Sequence, residues 1–466
     1  MAAEGPAARS DSEVIEHVTV LPMTAAGPVL RDRTVVVRDG RIEKIAPSAG
    51  FHGAGGAPRI DGRGKYLMPA LADMHVHMEN DDILAKMMGG HVPPGLLNTA
   101  DLTLPYVANG VLQVFNLSAS PAGKAQRDDI ESGKVLGPHI ALAVMVDGDP
   151  PIQGPLATVA ATPVEGRRIV DQILDGGYDA LKTYSNLTFD TFSAMVDEAR
   201  ARHLKVLGHI PLRGKDRTAE LFQPGYGMVA HAEEFAYQTP QVSVDAIPRF
   251  TDLAKARGVW LITTVSLNQR IVDQTESVDA LKGRPEMRYV NPLTYQTWTT
   301  RNSYAASKDK LGRRQAVVNF NAKLVPAFQA AGVPMVVGTD SLVSGMVPGF
   351  ALHDELEALA KLGLPSKAIL ADATRVPAQY LGVASDRGTL EAGKRADLLL
   401  LDADPLKDVA NTRRIAAVIV GGKVYPRAEL DGMMEALALR YAAMPKQMAT
   451  LGVKLGGHFA PEDDDN

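Results

Sequence analysis

The chain has 466 residues, a formal net charge of −5, 45% hydrophobic residues and 22% charged residues, which is the composition of an ordinary soluble globular protein. The weak negative charge argues against nucleic acid as a partner, and no apolar run reaches the roughly 18 residues of a membrane span. Cysteine is absent. This excludes disulfides and thiolate metal sites, and it leaves histidine, carboxylate or a modified lysine as metal ligands.

The N-terminal segment, residues 1–12, is small and polar and has no apolar signal core. We therefore expect a cytoplasmic protein, and an exported one only if a leader has been removed. Residues 13–66 alternate short β-rich runs with turns. Asp39 and Gly40 separate two of these runs as in a hairpin, so this segment is predicted to form the N-terminal part of a β-sandwich.

The next stretch, residues 67–77, has the pattern of a buried strand that ends at His75 and His77. Residues i and i+2 of a strand point to the same face, so both imidazoles would be directed at one point. Imidazole is a common zinc ligand, and catalytic zinc sites keep one coordination position open for water. The same spacing also arises by chance, and alone it favours a metal site no more than a structural role.

From His77 onward, apolar runs alternate with helical patterns, as in parallel βαβ units. Seven further strands are predicted at residues 111–115, 140–146, 180–184, 205–209, 228–231, 259–265 and 335–340. Helices are predicted between them at residues 164–175, 191–202, 245–256 and 315–331. The predicted fold class is α/β, with a (β/α)8 TIM-like barrel over residues 67–385 and a doubly wound open sheet as the competing architecture.

The segment before the last predicted strand, residues 266–314, is unusually long and carries Tyr289, Tyr295, Trp298 and Tyr304. Long loops in compact domains are usually functional or disordered, and aromatic residues argue against disorder. We expect a lid that covers the substrate. The alternative is that these aromatic residues only pack helices on the barrel wall.

The C-terminal part begins at residue 386, where β-rich runs follow one another without helices between them. Residues 386–428, with a last hairpin at 416–425, are predicted to complete a small composite β-sandwich domain with the N-terminal segment. Residues 429–466 are predicted to form a C-terminal helix and a solvated acidic tail.

Six metal-competent side chains follow the predicted barrel strands, at the face where barrel enzymes have their active sites: His75, His77, Lys182, His209, His231 and Asp340. Each has another explanation when it is taken alone. A single histidine is more often a buried core residue, Lys182 could extend out of the barrel, and Asp340 could cap a helix. Their joint occurrence at five strand ends is hard to explain as core packing.

Several motifs carry a resemblance to a known family: Asp73-Met74-His75-Val76-His77, Leu181-Lys182, Gly208-His209, Ala230-His231, Gly338-Thr339-Asp340-Ser341 and Gly388-Thr389-Leu390-Glu391-Ala392-Gly393-Lys394-Arg395-Ala396-Asp397-Leu398. On these motifs the chain resembles the amidohydrolase superfamily, and within it the imidazolonepropionase-like and prolidase-like metal-dependent branch. The resemblance covers about residues 13–425.

The resemblance implies a binuclear centre of two divalent metal ions, with zinc as the expected metal. The implied ligands are His75, His77 and Asp340 for the first ion, and His209 and His231 for the second. Lys182 would bridge the ions as a carbamate, because an ammonium group has no acceptor whereas a carbamate offers anionic oxygens. The alternative is an unmodified Lys182 beside a one-metal site.

The activity implied by the resemblance is hydrolysis of an amide or peptide bond. Two ions about 3.5–4 Å apart would share a hydroxide nucleophile, because zinc lowers the pKa of bound water to about 7. Asp340 would accept the water proton as general base and deliver it to the leaving amine as general acid. Asp340, Lys182 and His231 are therefore the predicted catalytic residues.

The expected substrate is a small molecule, either a dipeptide or an N-acyl or N-aryl-acyl amino acid, with ochratoxin-like compounds among the candidates. Tyr184 shares the strand face of Lys182 and is a predicted substrate contact, as is Trp298. Glu233 and Glu234, which follow His231, are expected at the rim of the site. A homo-oligomer is expected. The alternatives are a cyclic amide hydrolase such as an imidazolonepropionase, a phosphotriester hydrolase, and a non-catalytic metal-binding barrel subunit.

Overall fold

The computed structural model describes residues 12–53, 55–88 and 97–450, so the predicted acidic tail lies outside the described residues. The strands are β1 Ser12–Val20, β2 Leu30–Arg38, β3 Arg41–Pro47, β4 Arg59–Asp61, β5 Tyr66–Pro69, β6 Leu71–Val76, β7 Val111–Asn116, β8 His139–Asp147, β9 Thr158–Val159, β10 Ala180–Thr183, β11 Lys205–Gly208, β12 Tyr226–Val229, β13 Trp260–Ile262, β14 Met335–Val336, β15 Leu398–Leu401, β16 Ile415–Val420 and β17 Lys423–Pro426.

The α-helices are α1 Asp81–Met88, α2 Thr99–Ala108, α3 Pro121–Glu131, α4 Pro163–Asp175, α5 Phe189–Ala201, α6 Thr218–Leu221, α7 Glu233–Tyr237, α8 Ile247–Arg257, α9 Val265–Glu276, α10 Val278–Lys282, α11 Pro292–Thr300, α12 Ser303–Ala306, α13 Leu311–Ala331, α14 Phe350–Lys361, α15 Ser366–Asp372, α16 Arg375–Leu381 and α17 Arg427–Thr450. Among the helices of the described residues, none combines the length and the apolar composition that crossing a membrane requires.

The chain divides into two compact units, and the first comprises the described parts of residues 1–72, 108–112 and 366–433. Its sheet has the strand order β17-β16-β15-β5-β1-β2-β3, with β4 beside β1. Most pairs are antiparallel, and the predicted Asp39-Gly40 hairpin joins β2 to β3, with Arg38 opposite Arg41. Segments from both ends of the chain thus share one sheet, as predicted. Its buried face is aliphatic, with Ile15, Val35 and Leu398 in one cluster.

The second unit, the described parts of residues 73–107, 113–365 and 434–466, is built on parallel strands in the order β6-β7-β8-β10-β11-β12-β13-β14. The first and last strands of this order are also linked. The Met74 amide donates to the Val337 carbonyl at 2.9 Å, and the Asp340 amide donates to the His75 carbonyl at 2.8 Å. The predicted eight-stranded α/β barrel is therefore confirmed, and the competing open sheet is wrong.

The single strand predicted at residues 67–77 is two strands, β5 and β6, separated at Ala70. β5 pairs with β15 and β1 in the sheet of the first unit, whereas β6 begins the barrel. Both strands are almost completely buried, so the apolar pattern runs on without a break. Hydropathy alone cannot reveal the change of pairing partner, because both segments read as continuous apolar strands.

The long predicted segment before the last barrel strand is helical, and we refer to residues 265–310 as the insertion. It contains α9 to α12. The strands β13 and β14, on either side of it along the chain, are shorter than predicted, and a residue with positive φ follows two and four residues after them, respectively. Thr264 has φ 43° after β13, and Asp340 has φ 59° after β14. These left-handed conformations leave the extended geometry of a strand.

Candidate active site

The six predicted metal ligands lie at the carboxyl ends of the barrel strands. His75 is on β6 and His77 follows it, Lys182 is on β10, and the remaining three lie one to four residues beyond β11, β12 and β14: His209, His231 and Asp340. Parallel strands of a barrel end at the same face, so residues far apart in sequence meet there. Among the described residues, one ligand atom each from His75, His231 and Asp340 lie within 4.8 Å of one another.

Asp340 is at the centre of this group. Its Oδ1 lies 3.1 Å from Nε2 of His75 and 3.0 Å from Nε2 of His77. Within the described part of the chain, neither Asp340 Oδ1 nor His77 Nε2 has a hydrogen bond of normal geometry, although both atoms are buried. Buried polar atoms are nearly always hydrogen-bonded, so these two atoms are among the exceptions in the described residues, and a bound cation would explain them.

The protonation of His75 supports the same conclusion. Its Nδ1 lies 3.3 Å from the carbonyl oxygen of Ala230, which can only accept, so Nδ1 carries the proton. Burial lowers the pKa of His75 well below its usual value, and the positive charge of Lys182 adds to this against the opposing effect of Asp340. A neutral His75 therefore presents a lone pair from Nε2 toward a carboxylate oxygen. Residues in this arrangement fit a divalent metal ion.

Burial and neighbouring charges also shift the pKa values of the other predicted ligands. Burial lowers the pKa of His77 and lowers the pKa of His231 well below its usual value. Burial alone would raise the pKa of Asp340, but the imidazoles of His75, His77 and His231 outweigh it and lower the pKa well below the usual range. The site therefore holds an ionised carboxylate among imidazoles of low pKa, which release their protons readily to a metal ion.

Lys182 and His209 extend the group on the side of β10 and β11. Lys182 is 1% exposed, and its Nζ lies 3.1 Å from Nε2 of His75. The rings of His209 and His231 have centroids 5.0 Å apart. Tyr184 stacks on His209 with centroids 3.9 Å apart. All six predicted ligands thus belong to one contiguous cluster.

Three of the four imidazoles are oriented by oxygen atoms on their outer side. Besides the Ala230 carbonyl at His75, Nδ1 of His209 lies 2.9 Å from Oγ of Ser185 and 3.2 Å from Oε1 of Glu234. Nδ1 of His231 lies 3.2 Å from Oγ1 of Thr264. Such outer partners fix the ring and leave Nε2 facing inward, as is usual around metal-ligating histidines.

The expectation that Glu233 and Glu234 lie at the rim of the site is wrong. Both are buried, with 6% and 1% exposure, and they form the first turn of α7, which begins two residues after His231. Glu234 Oε2 accepts a hydrogen bond from the Ile210 amide at 2.7 Å, while Oε1 faces His209. Their position next to His231 in the sequence indicated that they lie near the site. Only the structure of α7 shows that their side chains are buried.

A carboxylate that sequence reasoning left without a role ties the first barrel strand to the last. Asp73 is fully buried and accepts hydrogen bonds from Oγ1 of Thr339 at 2.6 Å and from its amide at 3.0 Å. Burial raises the pKa of Asp73 to about 7 against these donors. Gly338 allows the close approach of the two strands, because a Cβ there would lie 2.9 Å from Cβ of His75.

The metal-competent cluster borders an open pocket through His77, and the empty space of this pocket is about 960 Å³ when the solvent at its mouth is included. One wall comes from the barrel strands and their loops and the other from the insertion. The lining residues are His77, Met78, Glu79, Ile83, Ser118, Met145, Gln153, Leu156, Thr294, Thr297, Trp298, Arg301, Asn302, Ser303, Tyr304, Leu342, Val343 and Ser344. The insertion thus forms one side of the pocket.

The two predicted substrate contacts are placed differently. Trp298 lines the pocket and also packs in an apolar cluster with Met287 and Val347. It therefore agrees both with a segment that covers the substrate and with aromatic residues that pack helices on the barrel wall. Tyr184 is 1% exposed and is not among the lining residues. Its hydroxyl accepts a hydrogen bond from Nε2 of Gln153, which does line the pocket, at 2.8 Å. Tyr184 therefore contacts the pocket wall rather than the pocket itself.

Comparisons with known proteins agree with this architecture. The model of the amidohydrolase family matches residues 66–425. A 5-methylthioadenosine/S-adenosylhomocysteine deaminase from Symbiobacterium thermophilum is 25% identical over 435 residues, which cover 84% of this chain and 85% of the deaminase. A Bifidobacterium longum structure described as that of a candidate prolidase has 26% identity and a TM-score of 0.65, covering 92% of this chain and 100% of that one. Ochratoxinase from A. niger has 18% identity and a TM-score of 0.66 over 90% of this chain and 96% of its own, and it shares the fold.

Proposed function

This chain belongs to the amidohydrolase family, and we propose that it is a metal-dependent hydrolase of an amide or peptide bond. The proposed substrate is a dipeptide or an N-acyl or N-aryl-acyl amino acid, with ochratoxin-like compounds in the second group. The observation that carries the proposal is the pair of facing acceptors, His75 Nε2 and Asp340 Oδ1, 3.1 Å apart beside a largely apolar pocket. A hydrolytic metal site beside a substrate cavity has this construction.

We propose that the site holds two divalent metal ions, with zinc as the expected metal. The first would be held by His75, His77 and Asp340, and the second by His209 and His231. Imidazole and carboxylate are ligands that zinc accepts, and the chain has no cysteine to compete with them. When bound, the ions would polarise the scissile carbonyl and activate water for attack.

Lys182 is proposed to be carboxylated by carbon dioxide and to bridge the two ions. Its amine carries no acceptor when protonated, but a carbamate formed on Nζ, which lies 3.1 Å from His75 Nε2, would offer two oxygens that share one negative charge. The burial of Lys182 supports this role, because an ammonium group is costly to bury. A ligand that bridges two ions would neutralise part of their charge.

Asp340 is proposed to transfer the proton. Its lowered pKa keeps it ionised at neutral pH, so it can accept a proton from the attacking water. It would then deliver the proton to the amide nitrogen as the carbon–nitrogen bond breaks, which gives a carboxylic acid and an amine. This is general base catalysis followed by general acid catalysis by one group.

Hydrolytic deamination is the second candidate, because the relative from Symbiobacterium thermophilum that is similar over most of the chain is a deaminase. That reaction also breaks a carbon–nitrogen bond with water, but it releases ammonia instead of an amino compound. The two activities are distinguished by the product that forms. A homo-oligomeric state and a cytoplasmic location stay predictions from the sequence.

The proposal is tested by loading the purified protein with zinc and measuring bound metal, then screening dipeptides, N-acyl amino acids and adenosine derivatives. We expect two zinc ions per chain and release of free amino acid from at least one amide. In Asp340→Asn, the rate is expected to fall by about 10²–10⁴-fold, the usual contribution of a general acid–base group. Near-zero bound metal, or ammonia release from adenosine derivatives alone, would sink the amidase proposal.

A further inference from the structure

The pocket beside the metal-competent cluster is mainly apolar, and of its lining residues only Arg301 carries a guanidinium group. The apolar part of the lining includes Ile83, Met145, Leu156 and Trp298. Glu79 is the one carboxyl residue of the lining, and it accepts a hydrogen bond from the Thr294 hydroxyl. The pocket therefore combines a broad apolar surface with one permanent cation.

The backbone beside Arg301 is anchored on both sides. Arg301 follows α11, and its amide donates to the Thr297 carbonyl at 3.0 Å. The next residue, Asn302, donates from Nδ2 to Oε1 of Gln274 at 2.8 Å and to Oγ of Ser344 at 3.2 Å. These contacts hold the segment that carries Arg301 in a defined position at the pocket.

Gln274 connects this segment to the loop that follows Asp340. It is fully buried, and its Nε2 donates to the Ser344 carbonyl at 2.7 Å while its Oε1 accepts from the Ser344 hydroxyl at 2.5 Å. Ser344 and Asn302 both line the pocket. The wall that carries Arg301 is thus hydrogen-bonded to the chain only four residues from Asp340, which is a preorganised arrangement for binding.

We propose that Arg301 binds the carboxylate of the substrate and makes this enzyme selective for amides whose amine portion is an amino acid. The inference rests on the proposed function of the same site. A guanidinium group offers planar paired donors that match a carboxylate. The apolar lining around Ile83, Met145 and Trp298 would take the acyl group, and the scissile bond would lie between the two parts.

The test compares N-benzoylglycine with N-benzoylglycinamide, in which a neutral carboxamide replaces the carboxylate that Arg301 would bind. Benzoate release reports cleavage of the same bond in both. The zinc-loaded wild type is expected to favour N-benzoylglycine by about 10- to 100-fold in kcat/KM, the value of a charged hydrogen-bonded contact. In Arg301→Gln this preference is expected to disappear through a higher KM for N-benzoylglycine, with no change for the amide.

Two further variants refine the comparison. Arg301→Lys keeps the charge but loses the paired donors, so it is expected to restore part of the preference. Arg257→Gln removes an exposed arginine at the end of α8, outside the pocket, and is expected to behave as wild type. An equal loss of kcat/KM for both compounds in Arg301→Gln would overturn the proposal, because it would indicate a general structural effect of the substitution.

Calorimetric binding separates failure of this proposal from failure of the proposed function. If neither compound is cleaved, the wild type is still expected to bind N-benzoylglycine more tightly than N-benzoylglycinamide, and Arg301→Gln is expected to bind both alike. Binding with this pattern but no cleavage would support the role of Arg301 in carboxylate binding and would count against amide hydrolysis as the activity. Equal binding of both compounds by the wild type, or no measurable binding of either, would overturn the role of Arg301.

Discussion

Oδ1 of Asp340 lies 3.1 Å from Nε2 of His75, although one residue follows the last strand of the barrel and the other is on the first. The Ala230 carbonyl holds the proton of His75 on Nδ1, so the two facing atoms are both acceptors. Two such atoms in contact repel one another unless a cation offsets the repulsion, and Lys182 Nζ, 3.1 Å from Nε2 of His75, or a bound metal ion can do so.

Lys182→Ala is expected to lower the metal content below two ions per chain and the rate by about 100-fold or more, because loss of even an outer partner of a metal ligand costs 10–100-fold. Added acetate or propionate is expected to restore part of both, since a free carboxylate can enter the space left by the side chain. Metal analysis and rate measurement with and without acetate check this. Lys215→Ala, at an exposed lysine, is the control, and full metal content without rescue would contradict the bridging role.

Glu234→Gln is expected to weaken zinc binding by about 10- to 100-fold, the usual effect of removing an outer partner of a histidine ligand. The carboxylate lies 3.2 Å from Nδ1 of His209 and also accepts from the Ile210 amide. Competition with a chelator of known affinity measures the change. Glu220→Gln, at an exposed glutamate paired with Arg217, should leave zinc affinity unchanged, and an equal effect of both variants would argue against an orienting role.

Gly338→Ala is expected to reduce the free energy of unfolding by about 1–3 kcal/mol, the range for overpacking a buried site. The added Cβ would lie 2.3 Å from Cγ2 of Ile262 on β13 and 2.9 Å from Cβ of His75 on β6, so a neighbouring strand must move. Urea denaturation measures the loss, and zinc affinity should fall with it. Gly312→Ala, where a Cβ would meet nothing within 4 Å, is the control and should be neutral or slightly stabilising.

Glu355 gives a prediction for the pH dependence of stability. It is fully buried, and burial raises its pKa above 4.5 despite hydrogen bonds from Thr263, Val265 and Ser266. The folded protein therefore holds this proton more tightly than the unfolded chain does. The resulting stabilisation is complete below about pH 4.5 and is lost as the pH rises through the raised pKa.

Glu355→Gln does not titrate, so its free energy of unfolding should depend less on pH in this range. The excess stability of the wild type over the variant is expected to shrink as the pH rises above about 4.5. Urea denaturation of both proteins after chelation of metal, at four or five pH values, measures the difference. Parallel curves for the two proteins would contradict the raised pKa.

The barrel and its predicted ligands could be inferred from the sequence because both depend on short-range patterns. An apolar run that ends in a histidine, lysine or aspartate marks a strand end, and the carboxyl ends of parallel strands meet. That reasoning was sufficient to bring His75, Lys182 and Asp340 together. It needed no knowledge of how the loops fold.

The partners of the ligands could not be inferred in the same way. Ser185 and Thr264 lie beside histidines 24 and 33 residues away in sequence, and their positions depend on loop conformations that no periodic pattern records. The burial of Glu234 depends on the turn into α7, and the break at Ala70 depends on a change of pairing partner. Tertiary contacts, not local preference, decide these features.

The seam between β6 and β14, which Asp73 and Thr339 hold together, also sets the order in which the site can be completed. A chain synthesised only as far as residue 334 would already contain the four histidines and Lys182, but it would lack the carboxylate and the closing strand. A metal ion that binds the full ligand set stabilises the closed barrel and not its precursors. The ion would therefore stabilise the barrel only at a late step of folding, after β14 has paired with β6. Any change that weakens the contact between these two strands is expected to weaken metal retention and barrel closure together.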